Sequence, residues 1–262
     1  MTPILLLGAG RMGGALIEGW SAAGAFAAAD LIVRDPNADA DADAFAGAVV
    51  NPPLEALSAA KTVLLAVKPQ IWREAVKDVV AHLAPDAVIV SIAAGVRAAD
   101  ISEVFGGRRV ARVMPTTAVA IGRGAASIHA EDDDARAAAH ALFAPVATVV
   151  DLPSEDLLHA ATAVSGSAPA YLYAFIEALE AAGAAQGLDA TDSARLARAT
   201  IIGAAALMEK SGEEPAELRK QVTSPGGTTA AALAVLMGEG GFGDLLPKAL
   251  DAAVARSKEL GG

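Results

Sequence analysis

Short apolar runs of strand length recur through the first part of the chain and alternate with segments of helical periodicity. The runs occupy residues 4–7, 31–33, 63–67, 88–92 and 110–113. They show no polar alternation, which is typical of strands that are covered on both faces of a sheet. The alternation of strand and helix predicts an α/β fold with a mostly parallel sheet and crossover helices.

The pattern changes after the last strand-like segment. Residues 125–129 and 147–152 have strand character and flank a helical pattern at 132–143, which indicates that the sheet is extended at one edge. From Pro153 onward the sequence is rich in alanine and has helical periods without a convincing strand. We therefore expect a Rossmann-type dinucleotide-binding domain over residues 1–152 and an all-helical domain over residues 153–262.

Capping residues and apolar faces define the expected helices of the second half. Ser154 and Thr191 are placed to accept amide hydrogen bonds at two helix starts. Tyr171, Phe175 and Leu179 recur at four-residue spacing and predict one apolar helix face. The late helices carry alanine and leucine on several faces, so we expect a homodimer or a higher homo-oligomer.

Composition and charge narrow the possible functions. Of 262 residues, 54% are hydrophobic and 19% are charged, so the chain is expected to fold throughout. The net charge of −11 does not favour binding to nucleic acid or to an anionic membrane, because both are negatively charged. The sequence has no cysteine, which excludes a disulfide framework, a thiolate metal site and a cysteine nucleophile.

No targeting or membrane segment is evident in the sequence. The first residues lead into a glycine turn and lack the basic start and cleavage site of a signal peptide. The longest uncharged stretch, residues 160–176, is too short and too often interrupted for a membrane span. We expect a cytoplasmic protein without a metal site, whose partners are a small-molecule substrate and copies of itself.

A G-x-G-x-x-G pattern lies between the first strand and the first helix. Its members are Gly8, Ala9, Gly10, Arg11, Met12 and Gly13. In such a loop the first glycine permits a tight turn, the second lets the backbone approach a pyrophosphate, and the third lets the helix pack closely on the strand. The place of the pattern between strand and helix predicts a nicotinamide dinucleotide site. The alternative interpretation is a glycine-rich packing turn.

Charged side chains near this loop bear on the choice between NADH and NADPH. Asp35 follows the second strand and is placed to hold the adenosine ribose hydroxyls, which favours NADH. Arg34 and Arg11 favour NADPH, because either guanidinium can pair with the 2′-phosphate. Arg34 is equally well explained as a solvated arginine at a strand end. The nucleotide preference is therefore open at this point.

Two later loops complete the expected cofactor site. The first follows a strand at its carboxyl end, where open parallel sheets bind their ligands, and consists of Ala66, Val67, Lys68 and Pro69. The second is the Ser-Ile-Ala-Ala-Gly segment at residues 91–95, where the small side chain of Ala94 would let a nicotinamide ring lie close to the backbone. A plain strand-to-loop transition is the alternative for this segment.

Two segments of the second half join helices with more small polar residues than a simple turn requires. Residues 165–171 read Ser-Gly-Ser-Ala-Pro-Ala-Tyr, and residues 224–229 read Ser-Pro-Gly-Gly-Thr-Thr. Each can present amide hydrogens at a helix N-terminus, which suits a carboxylate ligand. By themselves the segments are equally well explained as two capped helix starts.

Together with the glycine loop and residues 67–69, 91–95 and 112–115, these segments resemble the pyrroline-5-carboxylate reductase family over nearly the whole chain. The resemblance implies reduction of 1-pyrroline-5-carboxylate to proline by NADPH or NADH, the last step of proline biosynthesis. It also implies helical domains that intertwine into a dimer, dimers that often form rings, and a substrate that lies between the cofactor domain and the partner subunit's Gly-Gly-Thr-Thr loop.

The resemblance also carries roles to individual residues. Gly227 and Thr228 would bind the substrate carboxylate through backbone amides, and the hydroxyl of Thr229 would hydrogen-bond the ring nitrogen. Glu155 and Ser167 fall where the family lines the substrate pocket.

The chain departs from the family pattern at two positions. Thr116 stands where the family usually has asparagine, so no role of that asparagine near the nicotinamide is carried over. Arg11 stands where the glycine loop often has asparagine, which bears on the cofactor rather than on the chemistry.

Imine reduction accounts for the scarcity of acid–base residues in the second half, where His159 is the only histidine. A protonated imine is already an electrophile, so the enzyme mainly has to position the ring and hold the nitrogen proton.

Two alternative functions are considered, and the first is a hydroxyacid dehydrogenase of the 6-phosphogluconate-like group. Those enzymes resemble one another in a lysine early in the helical domain, whereas the first lysine after residue 152 is Lys210. The second alternative is a non-catalytic nucleotide-binding protein.

Overall fold

The computed structural model describes residues 1–38 and 47–260, the side chain of Leu260 excepted. Contacts divide the chain into two compact units. The sheet unit comprises Met1–Gly166 together with the end of the chain from Ala253, and the helical unit comprises Ser167–Ala252. Residues 153–166, which the sequence pattern groups with the helical half, thus pack with the sheet.

An eight-stranded sheet forms the centre of the sheet unit. The strands are β1 (Ile4–Leu7), β2 (Leu31–Arg34), β3 (Val49–Val50), β4 (Thr62–Leu65), β5 (Val88–Ser91), β6 (Val110–Pro115), β7 (Gly124–Ala130) and β8 (Ala147–Asp151). Their order across the sheet is β3-β2-β1-β4-β5-β6-β7-β8. All neighbouring pairs are parallel except β6 and β7. The predicted mostly parallel sheet with an extended edge is confirmed.

The antiparallel pair follows from the short connection between β6 and β7. A parallel neighbour requires a crossover of about a dozen residues or more. Residues 116–123 contain only a 3₁₀ turn at Thr117–Ile121, which ends at Gly122 with φ 67°. A connection this short reverses the chain, so β7 runs antiparallel to β6.

Helices cover both faces of the sheet. Those of the sheet unit are α1 (Arg11–Ala23), α2 (Trp72–Val76), α3 (Ala98–Val104), α4 (Asp133–Phe143) and α5 (Leu157–Ala161). Alternate residues of β1 face opposite sides, so that Leu6 packs with α1 and α4 while Leu5 packs with α2 and α3. Both leucines are fully buried, as strands covered on two faces require.

The start of α5 differs from the expectation. Asp156 occupies the N-cap position without a side-chain cap bond, so the expectation that Ser154 caps this helix is wrong. Ser154 instead contributes its carbonyl, which accepts from the Leu157 amide at 3.3 Å. A π-helical turn, Thr162–Gly166, follows α5 directly.

Five helices begin in the helical unit: α6 (Ala168–Ala185), α7 (Ala190–Ser211), α8 (Pro215–Gln221), α9 (Thr228–Leu236) and α10 (Phe242–Leu260). The carboxylate of Asp189 caps α7 by accepting from the amides of Thr191 and Asp192 at 2.8 and 3.3 Å. The expectation that Thr191 caps this helix is wrong, because Thr191 already lies in its first turn. None of the helices within residues 1–38 and 47–260 combines the length and apolar character of a membrane span.

Close packing joins α6 to α7. A Cβ at Gly183 would overlap the hydroxyl oxygen of Ser193, so glycine permits this approach. The Ser193 hydroxyl donates to the Glu180 carbonyl at 2.8 Å, and Arg198 donates to the Glu180 carboxylate at 2.7 Å. Among the described residues of α6 to α9, only Ser193 and Ala197 are buried.

Candidate functional site

The glycine loop has the geometry that its three glycines predict. Gly8 has φ 94°, and a Cβ there would lie 2.9 Å from Val67 Cγ1. A Cβ at Gly13 would overlap the Gly8 carbonyl oxygen, so α1 approaches the loop closely only because residue 13 is glycine. A Cβ at Gly10 would meet nothing within 4 Å, which leaves the backbone open on that side.

The N-terminus of α1 fits the pyrophosphate of a dinucleotide. Gly10 is the N-cap residue and no side chain caps the helix, whose first turn has no acidic residue. The first amides of a helix have no intrahelical acceptor, so those of Arg11, Met12 and Gly13 suit an anion beside the open face of Gly10. The Arg11 side chain is exposed at this end. This arrangement fits the cofactor expected from the sequence.

The Asp35 carboxylate lies against the same loop. Its Oδ2 accepts from the Ala9 amide at 2.7 Å, and its Oδ1 accepts from the Asn37 amide at 2.8 Å. Arg34 Nη1 donates to the Pro52 carbonyl at 3.3 Å. The carboxylate is thus held at the loop, while the guanidinium of Arg34 reaches toward the segment after β3.

The other expected cofactor residues follow β4, which pairs with β1, and β5, which pairs with β4. Ala66, Val67, Lys68 and Pro69 come directly after β4, and Ala94 lies in the loop after β5. The Ala66 amide donates to the Leu7 carbonyl at 2.8 Å, which places this segment beside the end of β1. Lys68 is exposed, and the other members are partly buried. The carboxyl ends of β1, β2, β4 and β5 therefore bring these residues to one edge of the sheet.

Glu155 is engaged within the sheet unit. Its Oε1 accepts from the Ala98 amide at the start of α3 at 2.6 Å and from Arg112 on β6 at 3.0 Å. The side chain of Arg112 is only 6% exposed. Burial lowers the pKa of its guanidinium, and the hydrogen bond and charge of Glu155 act in the opposite direction. Glu155 therefore provides the counter-charge that a buried arginine requires.

A cavity of about 550 Å³ lies beside this ion pair. Its lining includes Arg97, Arg112, Glu155, His159 and Lys258. His159 Nδ1 lies 2.9 Å from the Ser257 hydroxyl near the end of α10. Burial, followed by the charges of Arg112 and Lys258, lowers the pKa of His159.

Thr116 has a local bonding role. It is buried, its amide donates to the Ala125 carbonyl at 2.9 Å, and its hydroxyl accepts from the Ala125 amide at 3.0 Å. Both bonds join the end of β6 to β7. Threonine thus secures the strand pair at the position where the resemblance noted from the sequence implies asparagine.

The loop before α9 depends on its two glycines. Gly226 has φ 69°, and a Cβ at Gly227 would overlap the Ser224 hydroxyl oxygen. Gly227 is the N-cap residue of α9, and its amide donates to the Ser224 carbonyl at 3.1 Å. Of the two amides expected at the carboxylate, that of Thr228 lies in the first turn, where helix geometry provides no acceptor.

Thr229 and Ser167 lie at two helix starts of the helical unit. Thr229 is the second residue of α9 and is partly buried, and its hydroxyl has no hydrogen bond to any residue that the structure describes. Ser167 is the N-cap residue of α6, again without a side-chain cap bond. The structure thus assembles the expected cofactor residues in the sheet unit and places the Ser-Pro-Gly-Gly-Thr-Thr residues and Ser167 in the helical unit. Within the described ranges, no cluster of His, Asp and Glu could hold a metal ion.

The chain is similar to known proteins over nearly its full length. Residues 155–260 match the family described as pyrroline-5-carboxylate reductase dimerisation, and residues 3–95 match NADP oxidoreductase coenzyme F420-dependent. A curated pyrroline-5-carboxylate reductase of Pseudomonas aeruginosa is 39% identical over 98% of this chain and 96% of its own length. The chain belongs to the pyrroline-5-carboxylate reductase family.

Solved structures agree with membership of the pyrroline-5-carboxylate reductase family. The pyrroline-5-carboxylate reductase of Coxiella burnetii has a TM-score of 0.88 and 31% identity, covering 100% of this chain and 99% of its own. The Plasmodium falciparum pyrroline carboxylate reductase, solved with NADP bound, has a TM-score of 0.83 and 26% identity, with coverage of 100% and 98%.

One residue near the glycine loop of this reductase, Asn51, was not identified from the sequence patterns. Asn51 makes two side-chain hydrogen bonds to the backbone of Asp35. An asparagine before two prolines indicates a turn. This pattern does not identify the hydrogen-bond partner of Asn51, which is Asp35, 16 positions away in the sequence. That contact depends on the pairing of β2 with β3, which a two-residue strand does not reveal in the sequence.

Proposed function

We propose that the chain reduces 1-pyrroline-5-carboxylate to L-proline with NADPH or NADH, the last step of proline biosynthesis. The observation that carries this conclusion is the similarity of nearly the whole chain to curated pyrroline-5-carboxylate reductases. The glycine loop and the start of α9 supply the two kinds of anion site that a dinucleotide and a carboxylate substrate require.

The sheet unit is proposed to hold the coenzyme. The residues assigned to this role are Gly8, Gly10, Arg11, Met12, Gly13, Arg34, Asp35, Ala66, Val67, Lys68, Pro69 and Ala94. The coenzyme supplies the hydride for the carbon of the C=N bond. The amides at the start of α1 bind its pyrophosphate, and the small side chain of Ala94 leaves room for a flat ring beside the backbone.

The helical unit is proposed to hold the substrate. The Thr228 amide at the start of α9 binds the carboxylate beside Gly227, whose own amide is bonded to the Ser224 carbonyl, and the Thr229 hydroxyl hydrogen-bonds the ring nitrogen. Ser167 is proposed to line the substrate pocket, and so is Glu155, which belongs to the sheet unit. The absence of a hydrogen bond from the Thr229 hydroxyl to any described residue supports its role, because the group is free to bind a ligand.

The reaction makes modest demands on these residues. The protonated imine is electrophilic without a metal or a general acid, and its reduction yields a neutral secondary amine. The protein has to orient the ring and keep the nitrogen proton in place, which a hydroxyl and a few amides accomplish. Reduction of a ketone would instead develop an alkoxide and require a proton donor.

The direct test measures oxidation of NADH and of NADPH with 1-pyrroline-5-carboxylate, with proline identified by mass spectrometry. Substrate-dependent oxidation that yields proline is expected. Turnover of hydroxyacids and their oxo acids but not of the cyclic imine would support the dehydrogenase alternative. Nucleotide binding without turnover of either substrate class would support a non-catalytic binding protein.

The assembly and location follow from separate observations. The match of residues 155–260 to the dimerisation family indicates a homo-oligomer. We propose a homodimer as the smallest assembly, with larger rings built from dimers. A cytoplasmic location and the domain division at residues 1–152 and 153–262 are also proposals, supported by the cysteine-free sequence and by the change of pattern after Leu152.

A further inference from the structure

Asn51 lies directly after the edge strand β3 and binds the end of β2. Its Oδ1 accepts from the Asp35 amide at 3.1 Å, and its Nδ2 donates to the Asp35 carbonyl at 2.9 Å. The Asn51 amide donates to the Val33 carbonyl at 2.8 Å. The side chain thus continues the pairing of β2 with β3 beyond the last residue of either strand.

The backbone of Asn51 is specialised for this contact. Its φ of 47° is left-handed, and among the non-glycine residues that the structure describes no other has a positive φ. Asparagine adopts this conformation more readily than most residues, because its short polar side chain can hydrogen-bond locally. The next residue, Pro52, accepts the bond from Arg34. Asn51 and Pro52, which follow β3, therefore bond Arg34, the last residue of β2, and Asp35, the residue after it.

The two side-chain bonds from Asn51 to the Asp35 backbone are called the clamp here. The clamped residue is in turn bonded to the glycine loop through its carboxylate. One carboxylate oxygen is bonded to the Ala9 amide in the loop, and the other is bonded to the Asn37 amide. Because Asn51 fixes the Asp35 backbone at both its amide and its carbonyl, it also limits where the carboxylate can lie. Between Asp35 and Asn51 the sequence contains no Lys or Arg that would offset the negative charge.

We propose that Asn51 is a positioning residue for coenzyme selection. By clamping the Asp35 backbone, it holds the carboxylate where that group accepts the ribose hydroxyls of NADH and repels the 2′-phosphate of NADPH. The proposal rests on the proposed function, because it requires a nicotinamide dinucleotide at the glycine loop. Asn51 itself need not touch the coenzyme.

The test uses Asn51→Gly, because glycine adopts a positive φ without strain and removes only the side chain. Dissociation constants of NADH and NADPH are measured by titration calorimetry, without substrate, for the wild type, Asn51→Gly, Asp35→Ser and the double variant. Loss of the clamp should shift the ratio of the two constants toward NADPH by roughly three- to tenfold. Asp35→Ser should shift it in the same direction, and the double variant should match Asp35→Ser alone, since Asn51 acts through Asp35.

Two further variants separate positioning from stability. Asn51→Ala also removes the clamp but adds backbone strain, so it should shift the ratio like Asn51→Gly while unfolding more easily. Ser58→Ala removes a hydrogen bond to the Glu55 carbonyl in the following 3₁₀ helix and should keep the wild-type ratio.

The proposal is overturned if Asn51→Gly folds but keeps the wild-type ratio of the NADH and NADPH dissociation constants. It is also overturned if Asn51→Gly changes this ratio as much in the Asp35→Ser protein as it does in the wild type. A wild-type protein that binds neither nucleotide overturns it as well. A wild-type protein that binds nucleotide without reducing the imine contradicts the proposed function only, and the binding ratios then still decide the role of Asn51.

Discussion

At the residue scale, Thr229 is the side chain on which the proposed chemistry depends most. It occupies the second position of α9, whose N-cap residue is Gly227. The hydroxyl has no hydrogen bond to the described residues, and the helix does not rely on it as a cap. A role in local structure therefore explains this hydroxyl poorly, whereas a role at the ring nitrogen explains it well.

Thr229→Ala is expected to lower kcat while cofactor affinity stays nearly constant. Loss of one positioned hydrogen bond of about 1.5–4 kcal/mol corresponds to roughly a ten- to thousandfold slower turnover. Thr229→Ser keeps the hydroxyl and should retain much of the rate. Steady-state kinetics, nucleotide dissociation constants and melting temperatures of both variants provide the measurement.

A matched loss of a hydroxyl in the same unit serves as the control. Thr223 donates to the Arg219 carbonyl at 2.6 Å, within the segment that ends α8, so Thr223→Ala should affect stability more than turnover. If Thr229→Ala melts early but turns over normally when folded, the catalytic assignment of Thr229 is wrong.

Residue roles could be predicted where a local pattern permits few geometries. The three glycines of the first loop are such a case, because strand, turn and helix follow one another within a few residues. Three sets of hydrogen bonds within the chain could not be predicted in this way. They are the bonds made by the Asp35 carboxylate, the Thr116 hydroxyl and the Gly227 amide. Each depends on a specific hydrogen-bond partner, and several partners of similar chemistry lie nearby in the sequence.

At the element scale, the contact between β1 and α1 depends on Gly13. Gly13→Ala would place a methyl group against the Gly8 carbonyl oxygen, so helix and loop would have to separate. We expect a loss of about 1–3 kcal/mol in the free energy of unfolding, as overpacking typically costs. Binding of the nucleotide should weaken as well. Urea unfolding and calorimetric titration measure the two effects.

The neighbouring glycine gives a control for this variant. A Cβ at Gly14 would lie 3.6 Å from the Ala9 carbonyl oxygen, which is an ordinary contact. Because alanine is the better helix former, Gly14→Ala should be as stable as the wild type or more stable. Equal stability of the two alanine variants would contradict the packing role of Gly13.

A second element-scale prediction concerns His159, which joins α5 to the end of α10. Burial lowers its pKa below 6.5 in the folded chain, the charges of Arg112, Lys258 and Arg97 act in the same direction, and that of Asp156 acts against them. The unfolded chain then binds more protons in the interval between the two pKa values. The stability associated with neutral His159 is therefore complete above 6.5 and is lost as pH falls through that interval.

The free energy of unfolding should fall more for the wild type than for His159→Gln when pH is lowered from about 7.5 to about 5.5. Ser257→Ala removes the hydrogen bond to His159 but leaves the titrating ring and its charged neighbours, so it should keep the wild-type pH dependence. Parallel urea curves at both pH values are the measurement. An equal loss in the wild type and His159→Gln would exclude His159 as the titrating group.

Elements were predictable when their apolar pattern was long enough. The apolar runs correspond to β1, β2, β4, β5 and β6, and their ends differ from those of the strands by at most two residues. β3 has only two residues, one of them exposed, so it leaves no pattern to detect. The helix starts at Asp156 and Asp189 were misplaced, because several capping residues lie close together and the path of the preceding chain selects among them.

At the scale of the whole molecule, the helical unit has more apolar surface than it covers. Among its exposed large side chains are Leu172, Tyr173, Leu196, Ile202, Leu207, Val235, Met237 and Leu245. Val235 is 76% exposed and Ile202 is 70% exposed. A helix that is apolar on several faces is normally buried, and large exposed apolar patches mark sites of protein association. A second copy of the chain is the partner that the dimerisation family indicates.

We therefore expect light scattering to give twice the mass of one chain, or a multiple of that value, at micromolar concentration. Ile202→Asp places a charge on the exposed apolar surface and should shift the protein toward the monomer, because an unpaired carboxylate is costly to bury in an interface. Val49→Asp changes an exposed residue on the edge strand β3 of the sheet unit and should leave the mass unchanged. A monomeric wild type would contradict the homodimer. A dimer that survives Ile202→Asp while Val49→Asp dissociates it would place the interface on the sheet unit instead.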